Sequence, residues 1–200
     1  MAENLTNNGL LLNCEKLLNA KTVYMWGCYG QALTHDLINR KKEQYPNRFS
    51  AARRDYLAIL ADEGGWYACD CAGLIKNYFW GGFGNKIRYS FSSDYGTEGM
   101  KKASKVSGKI LNLPDIPGVI VYKKGHIGVY IGGGEVIECT LGSRGDGVVK
   151  TKLSDAGWTD WFYAPVIVYG EPAAVKKTVK KKNRVIDLFK KLITRKDKLL

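Results

Sequence analysis

Residues 117–132 read PGVIVYKKGHIGVYIG, and this stretch decides the fold because its apolar residues come in two short runs. The runs at 119–122 and 127–131 have the length and the β-branched and aromatic content of strands, and residues 123–125 between them form a tight turn. His126 opens the second strand beside a glycine, where an imidazole can be exposed at the end of a sheet. The stretch therefore predicts a β-hairpin with a histidine at the start of its second strand.

The sequence after this hairpin predicts further strands. Further short apolar or alternating runs lie at 136–140, 148–153 and 161–168, with glycine-rich turns at 132–134 and 145–147. This spacing is typical of an antiparallel meander. The aromatic residues near its end are better explained by the core and the sheet edge than by a platform for sugar rings. They are Trp158, Trp161, Phe162 and Tyr163.

The first half of the chain has helical periodicity instead. Apolar residues recur at helical spacing in 9–19, 31–41 and 51–62, and a fourth helix begins near Cys71. Ser50 is a suitable N-cap for the third helix, and Gly64 follows its last turn. Helices followed by an antiparallel sheet predict an α+β domain in which the N-terminal helices pack on a C-terminal sheet.

Length and composition exclude several classes of protein. The chain has 200 residues, of which 45% are hydrophobic and 12% aromatic, with only 5 prolines. This is the composition of one packed domain, not of a disordered, collagen-like or fibrous chain. The first residues lack the basic start and cleavage site of a signal peptide, so we expect synthesis in the cytoplasm without classical secretion. Five irregularly spaced cysteines indicate free thiols.

Most of the positive charge lies at the C-terminus. Residues 175–200 carry nine of the twelve net positive charges. We therefore divide the chain into a domain at 1–171 and a basic tail at 172–200, with the boundary at a proline. Apolar residues recur in this tail at helical spacing, which predicts a short basic amphipathic helix. They are Val185, Leu188, Phe189, Leu192 and Ile193.

Two interpretations of the tail remain open. The helix either docks on the body of the protein or binds an anionic partner, such as a wall polymer, a membrane surface or a phage tail protein. Nucleic acid is the weaker candidate, because a single short basic segment without an accompanying motif is poor evidence for it.

The first stretch that carries chemistry is YACDCAGLIKNY at 67–78. Asp70 can cap a helix that places Cys71 in its first turn. Backbone N–H groups and the helix dipole favour a thiolate there, which predicts a lowered pKa and a nucleophilic sulfur. The alternative is that Cys71 is a small buried apolar residue, and this stretch alone does not choose between the two.

A general base has few candidates, because the chain has only two histidines. His35 lies on a predicted helix, where a surface role explains it better, so His126 is the stronger candidate. If the hairpin after His126 is symmetric about Gly133, Gly128 pairs with Glu138. His126 and Glu138 then share a face on a diagonal, about 7–8 Å apart at the backbone. A loop of even length would put them on opposite faces.

Together these motifs carry a resemblance. YMWG at 24–27, DCAGLI at 70–75, PG at 117–118 and HIGVYI at 126–131 resemble the NlpC-type family of cell-wall cysteine peptidases. The resemblance covers residues 20–168 and implies a papain-like α+β fold.

The resemblance also implies roles for particular residues. It makes Cys71 the nucleophile, His126 the base and Glu138 the residue that orients the base. It places Tyr24 and Trp26 at the substrate site, together with an aspartate that binds a free amino group. That aspartate is Asp70.

The family cleaves peptidoglycan stem peptides, commonly after γ-linked D-glutamate. Without a signal peptide, the chain is most similar to a bacteriophage lysin, released by a holin or carried in a virion tail. No metal or cofactor is implied, and the cysteines and His126 do not have zinc-ligand spacing. Two positions depart from the family pattern: Ala72 stands where serine is common, and Glu138 where histidine, asparagine or glutamine is more usual.

Three alternatives to a stem-peptide endopeptidase stay open. One is an amidase that cuts between muramic acid and L-alanine. Another is a phage tail or wall-binding protein that has kept the fold and lost turnover. The third is an acyltransferase or thioesterase, since a cysteine–histidine pair can pass an acyl group to other acceptors. Arg144 and Lys150 are expected to be solvated charges on a strand face.

Overall fold

The computed structural model describes residues 4–170, so the predicted basic helix in the tail lies outside the described residues. The helices are α1 (Asn7–Leu18), α2 (His35–Gln44), α3 (Ala51–Glu63), α4 (Cys71–Phe79) and α5 (Thr97–Ala103). The strands are β1 (Thr22–Tyr24), β2 (Tyr29–Ala32), β3 (Tyr67–Cys69), β4 (Ser107–Lys109), β5 (Ile120–Lys123), β6 (His126–Gly132), β7 (Glu135–Gly142), β8 (Gly145–Lys152) and β9 (Asp160–Phe162). In the part of the chain so described, no helix is long and apolar enough to cross a membrane.

The larger sheet contains the predicted hairpin. Its six strands run in the order β4-β9-β5-β6-β7-β8, and each neighbouring pair is antiparallel. In the β6–β7 pair, Gly128 lies opposite Glu138 and Tyr130 lies opposite Val136. These two pairings are the predicted ones, and they put His126 and Glu138 on one face of the sheet. The hairpin is not symmetric, however: its turn has two residues, and a bulge between Tyr130 and Gly132 restores the predicted register.

The other face of this sheet packs against α1 and α4. Alternate residues of the strands point into this core, because side chains of a strand alternate between the two faces. The core residues include Leu10 and Leu17 from α1, Leu74 and Ile75 from α4, and Ile127, Val129 and Ile137 from the sheet. The predicted α+β arrangement, with helices on an antiparallel sheet, is confirmed.

A second, three-stranded sheet was not expected in the helical half of the chain. Its order is β1-β3-β2, with β1 parallel and β2 antiparallel to the central β3. These strands have three or four residues each, which is too short for a period of two to be recognised. The sequence analysis identified only the helices of this half, so these strands add to the predicted architecture. In this sheet Tyr24 lies opposite Cys69. Cys69 is the residue before Asp70, which caps α4.

Several element ends follow the predicted signals, and others do not. Ser50 accepts a hydrogen bond from the Arg53 N–H at the start of α3, and Gly64 follows its end with φ 72°. The last strand covers only 160–162, not 161–168, and α5 and β4 lie between the predicted helices and the predicted sheet.

Candidate active site

The start of α4 is fixed by Asp70. Its carboxylate accepts hydrogen bonds from the backbone N–H groups of Gly73 at 2.6 Å and Gly27 at 2.7 Å. A Cβ atom on Gly73 would lie 1.9 Å from the Cys28 carbonyl oxygen, so only glycine allows this contact between α4 and the 27–28 loop. These contacts place Cys71 as the first residue of the helix, as predicted.

The electrostatics of Cys71 differ from the sequence-based expectation. Burial raises the pKa of its thiol, since the residue is only 4% exposed, and the neighbouring Asp70 carboxylate raises it further. The backbone N–H groups of Ile127 and Ala72 act in the opposite direction, but the pKa still rises to about 12. The predicted lowering of this pKa was wrong, because the helix N-terminus is outweighed by desolvation. At neutral pH the sulfur carries its proton.

The imidazole of His126 is held from two directions. Its Nε2 lies 2.5 Å from Oε2 of Glu138, and its ring stacks on Trp158 at a centroid distance of 5.4 Å and an angle of 11°. Gly128 lies between the two polar side chains. A Cβ atom there would come within 2.6 Å of Val136 and within 3.3 Å of Glu138 and Trp158, so the glycine makes room for this packing.

Glu138 is a fully buried carboxylate with three partners. Besides His126, Arg144 donates from Nε to Oε1 at 3.0 Å and from Nη2 to Oε2 at 3.1 Å, and Thr151 donates to Oε1 at 2.8 Å. Burial alone raises the pKa of this carboxyl, but the hydrogen bonds from His126, Arg144 and Thr151 outweigh it and lower the pKa to about 2. Glu138 is therefore ionised at neutral pH.

Sequence reasoning missed three side chains of this cluster. Arg144 was expected to be a solvated strand charge, and it instead forms a two-point contact with Glu138. Trp158 was assigned to the core; it is buried and also covers the His126 ring. Thr151 could have been found, because it lies opposite Val136 and so is diagonal to Glu138 on the same face.

Two clefts open at the site, and Trp26 lines both. The first, of about 430 Å³, contains Asp70 and Cys71. The second, of about 500 Å³, contains Tyr24 and His126. Of the predicted site residues, Glu138 lines neither cleft and lies behind His126. Burial raises the pKa of the Tyr24 phenol, and the charge of a Cys71 thiolate would raise it further.

The remaining cysteines line neither cleft. Cys14, Cys28, Cys69 and Cys139 are buried and form no disulfide. Among residues 4–170, no three histidine, cysteine or acidic side chains are grouped closely enough to hold a metal ion.

The protein is thus an α+β domain whose site has a cysteine at the start of a helix and a histidine–carboxylate pair at the end of a sheet. No protein-family model matches the chain, and no curated protein matches it in sequence.

Two solved structures are similar to it in backbone. One is the P60 domain of antigen MAP1204 from M. avium subspecies paratuberculosis, with a TM-score of 0.46 and 16% identity over 80% of this chain and 94% of that one. The other is the peptidoglycan hydrolase RipB from Mycobacterium tuberculosis, with a TM-score of 0.45 and 20% identity over 82% of this chain and 65% of that one.

Proposed function

We propose that the chain is a cysteine peptidase of the NlpC type, with a papain-like fold, that hydrolyses amide bonds in the stem peptides of peptidoglycan. The observation that carries the proposal is the 2.5 Å contact between His126 Nε2 and the buried, ionised Glu138. Because this contact uses Nε2, the other ring nitrogen, Nδ1, can exchange a proton with Cys71. The Cys71 sulfur lies beside the backbone of Ile127, the residue after His126.

The mechanism starts from a neutral thiol. His126 Nδ1 takes the thiol proton as Sγ of Cys71 forms a bond to the amide carbonyl carbon, and the carbonyl electron pair moves to oxygen. Backbone donors at the start of α4, including the Cys71 N–H, stabilise this oxyanion. Glu138 stabilises the imidazolium that forms and keeps the ring oriented, without taking a proton itself.

The second half of the reaction reverses these roles. The C–N bond breaks as the imidazolium gives its proton to the leaving amine, and a thioester remains on Cys71. Water then attacks the thioester, with His126 as the base, and the thiol leaves with the proton. Because Trp158 and Glu138 restrain the ring, one imidazole can serve both steps without reorienting.

The Cys71 cleft suits a substrate with a free amino group. Its charged side chains are the carboxylates of Asp70, Asp94 and Glu98 against the single ammonium of Lys76. This excess of acidic groups supports the role that the family resemblance gives to Asp70, which is to bind the amino end of a stem peptide. We assign the scissile bond as the one after γ-linked D-glutamate.

Digestion of Gram-positive sacculi tests the proposal. Purified protein should release stem-peptide fragments with new amino termini in mass analysis, and Cys71→Ser should release none. Cys14→Ala is the matched control, because it removes a buried thiol that lines neither cleft. Undiminished release by Cys71→Ser, or no cleavage by the wild type of either sacculi or free stem peptides that begin with L-alanine, would contradict the assignment. Fragments with an intact stem peptide freed from muramic acid would indicate an amidase, and aminolysed products an acyltransferase.

A non-catalytic wall-binding protein is the second candidate, and the raised pKa of the Cys71 thiol favours it. Such a protein would bind sacculi and release no fragments. The same digestion therefore separates the two candidates when bound protein is measured in parallel.

We also propose that the chain acts at the cell wall as a phage lysin or tail-associated lysin, with residues 175–200 binding an anionic wall polymer, membrane surface or phage tail protein. The nine net positive charges of that segment support this. A chain truncated after residue 174 should bind sacculi less at low salt, and the difference should shrink as salt is added. Equal, salt-insensitive binding of both chains would count against a role in adhesion.

A further inference from the structure

The cleft that contains His126 is lined by an unusual set of charges. Apart from the histidine, its charged side chains are all cationic: Arg48, Arg53, Lys123 and Arg144. A cleft lined by one sign of charge concentrates ligands of the opposite sign. This cleft is therefore suited to an anion.

Two of these cations are already paired with carboxylates that do not line the cleft. Arg53 pairs with Asp146 at 2.5 Å, and Arg144 contacts the buried Glu138. Arg48 and Lys123 have no carboxylate within 4.0 Å among residues 4–170. The cleft thus has two uncompensated positive charges.

Arg48 is held in a defined orientation. Its guanidinium carbon lies 3.9 Å from the centroid of the Trp26 ring, in a stacked cation–π contact. Stacking uses the face of the guanidinium and leaves its N–H edge for a planar acceptor such as a carboxylate. Trp26 lines both clefts, so this edge lies near the boundary between them.

Lys123 brings the second charge next to the base. It lies directly opposite His126 in the β5–β6 register. Its Nζ donates to the Ala156 carbonyl oxygen at 2.8 Å and lies 5.8 Å from the Trp158 ring centroid. One donor of the ammonium is used in this way, which leaves two for a ligand.

The reaction assigns each cleft to one half of the substrate. The acyl half stays on Cys71, so it occupies the acidic cleft on that side. The amine half receives its proton from His126, so it occupies the cationic cleft. The two clefts therefore have opposite charge on opposite sides of the scissile bond.

We propose, on the basis of the function proposed above, that the His126 cleft binds a carboxylate on the residue that supplies the leaving amine, and that Arg48 and Lys123 are its ligands. The enzyme then prefers stem tripeptides, whose diamino acid keeps its α-carboxylate free, over stem peptides in which this carboxyl is amidated or bonded to a further residue.

Two matched tripeptides test this. They are L-alanyl-γ-D-glutamyl-L-lysine with a free α-carboxylate and the same peptide with an α-carboxamide. The full-length protein should cleave the free acid with a kcat/KM roughly three- to tenfold higher, mainly through a lower KM, since each exposed ion pair contributes modestly. The preference should shrink in high salt.

Variants identify the residues responsible. Arg48→Gln combined with Lys123→Gln should reduce the preference to near one, chiefly by raising the KM of the free acid towards that of the amide. Lys124→Gln is the control, because it removes the adjacent exposed lysine, which does not line the cleft. Equal cleavage of the two peptides by the wild type, or an unchanged preference in the double variant, would overturn the inference and leave the hydrolase assignment standing.

If the protein is not a hydrolase, neither peptide will be cut, and this outcome differs from both of those above. Binding then decides the inference without turnover, by titrating both tripeptides into Cys71→Ala protein and following amide chemical shifts. Tighter binding of the free acid, lost when Arg48 and Lys123 are also replaced, supports the carboxylate site. Equal binding of the two peptides overturns it.

Discussion

Glu138 is a buried carboxylate held between His126 and Arg144. His126 Nε2 contacts one of its oxygens, and Arg144 and Thr151 donate to the same two oxygens from the other side. The negative charge is therefore balanced by Arg144 while the carboxylate orients the imidazole.

Arg144→Gln tests this balance. Loss of the two-point contact should raise the pKa of Glu138, because Arg144 donates hydrogen bonds that lower it. The acidic limb of the pH profile of kcat/KM should then move to higher pH, with lower activity in acid. Lys150→Gln is the control, since Lys150 pairs only with the half-exposed Glu135. A loss of activity with an unmoved limb would mean that Arg144 supports the fold alone.

Alkylation tests the protonation of Cys71. A pKa raised to about 12 means that the thiol is protonated at every pH well below that value. Reaction with iodoacetamide, followed by mass analysis of the Cys71 peptide, should be slow at pH 7 and still accelerate above pH 10. A rate that is already at its plateau near pH 7 would instead indicate a preformed thiolate–imidazolium pair.

At the scale of elements, the most constrained contact is that of α4 with the loop before β2. Gly73→Ala forces its Cβ into the Cys28 carbonyl, which is backbone and cannot move aside cheaply. We expect the free energy of unfolding to fall by about 3 kcal/mol, and activity to be lost as Cys71 shifts.

Gly99→Ala in α5 is the matched control for stability. Its nearest neighbour, the Tyr95 ring, would lie 3.9 Å from the new Cβ, an ordinary contact. Alanine in place of a helical glycine should raise stability by about 0.5–1 kcal/mol. Chemical denaturation of both variants measures the difference, and similar midpoints would contradict the close contact at Gly73.

The elements also show how far sequence patterns predict this protein. The pairing of Gly128 with Glu138 was predicted, but the bulge between Tyr130 and Gly132 that produces it beside a two-residue turn was not, because turn length alone does not reveal a bulge. The cap at Asp70 was predictable from local chemistry. The three-stranded sheet was not, since strands of three residues depend on pairing between distant segments. The pKa of Cys71 was missed because burial is a tertiary property that the helix start does not reveal.

At the scale of the whole molecule, the ionised Glu138 makes the fold sensitive to acid. Its pKa is lowered to about 2 in the folded state, against about 4.3 for an unfolded chain. A lowered carboxyl pKa gives stability that is present above pH 4.3 and is lost as the pH falls towards 2. The loss should be about 3 kcal/mol from this residue.

Urea denaturation at pH 7, 4 and 3 measures this loss. Glu138→Gln should be less stable than the wild type at pH 7, and the gap between them should narrow on acidification. Asp160 pairs with Lys101 and Lys109 and also has a pKa of about 2. Its pH-dependent contribution to stability is the same in both proteins, so it cancels in the comparison. A gap that is constant with pH would contradict the ionised state of Glu138.

The stack of Trp158 on His126 has an optical consequence. An excited indole transfers an electron readily to an imidazolium and poorly to a neutral imidazole, and these two rings lie face to face at 5.4 Å. The emission of Trp158 should therefore dim as His126 gains a proton, and Trp158→Phe should remove that part of the fluorescence titration. The molecule contains its own spectroscopic indicator of the state of its base, readable without substrate, label or turnover.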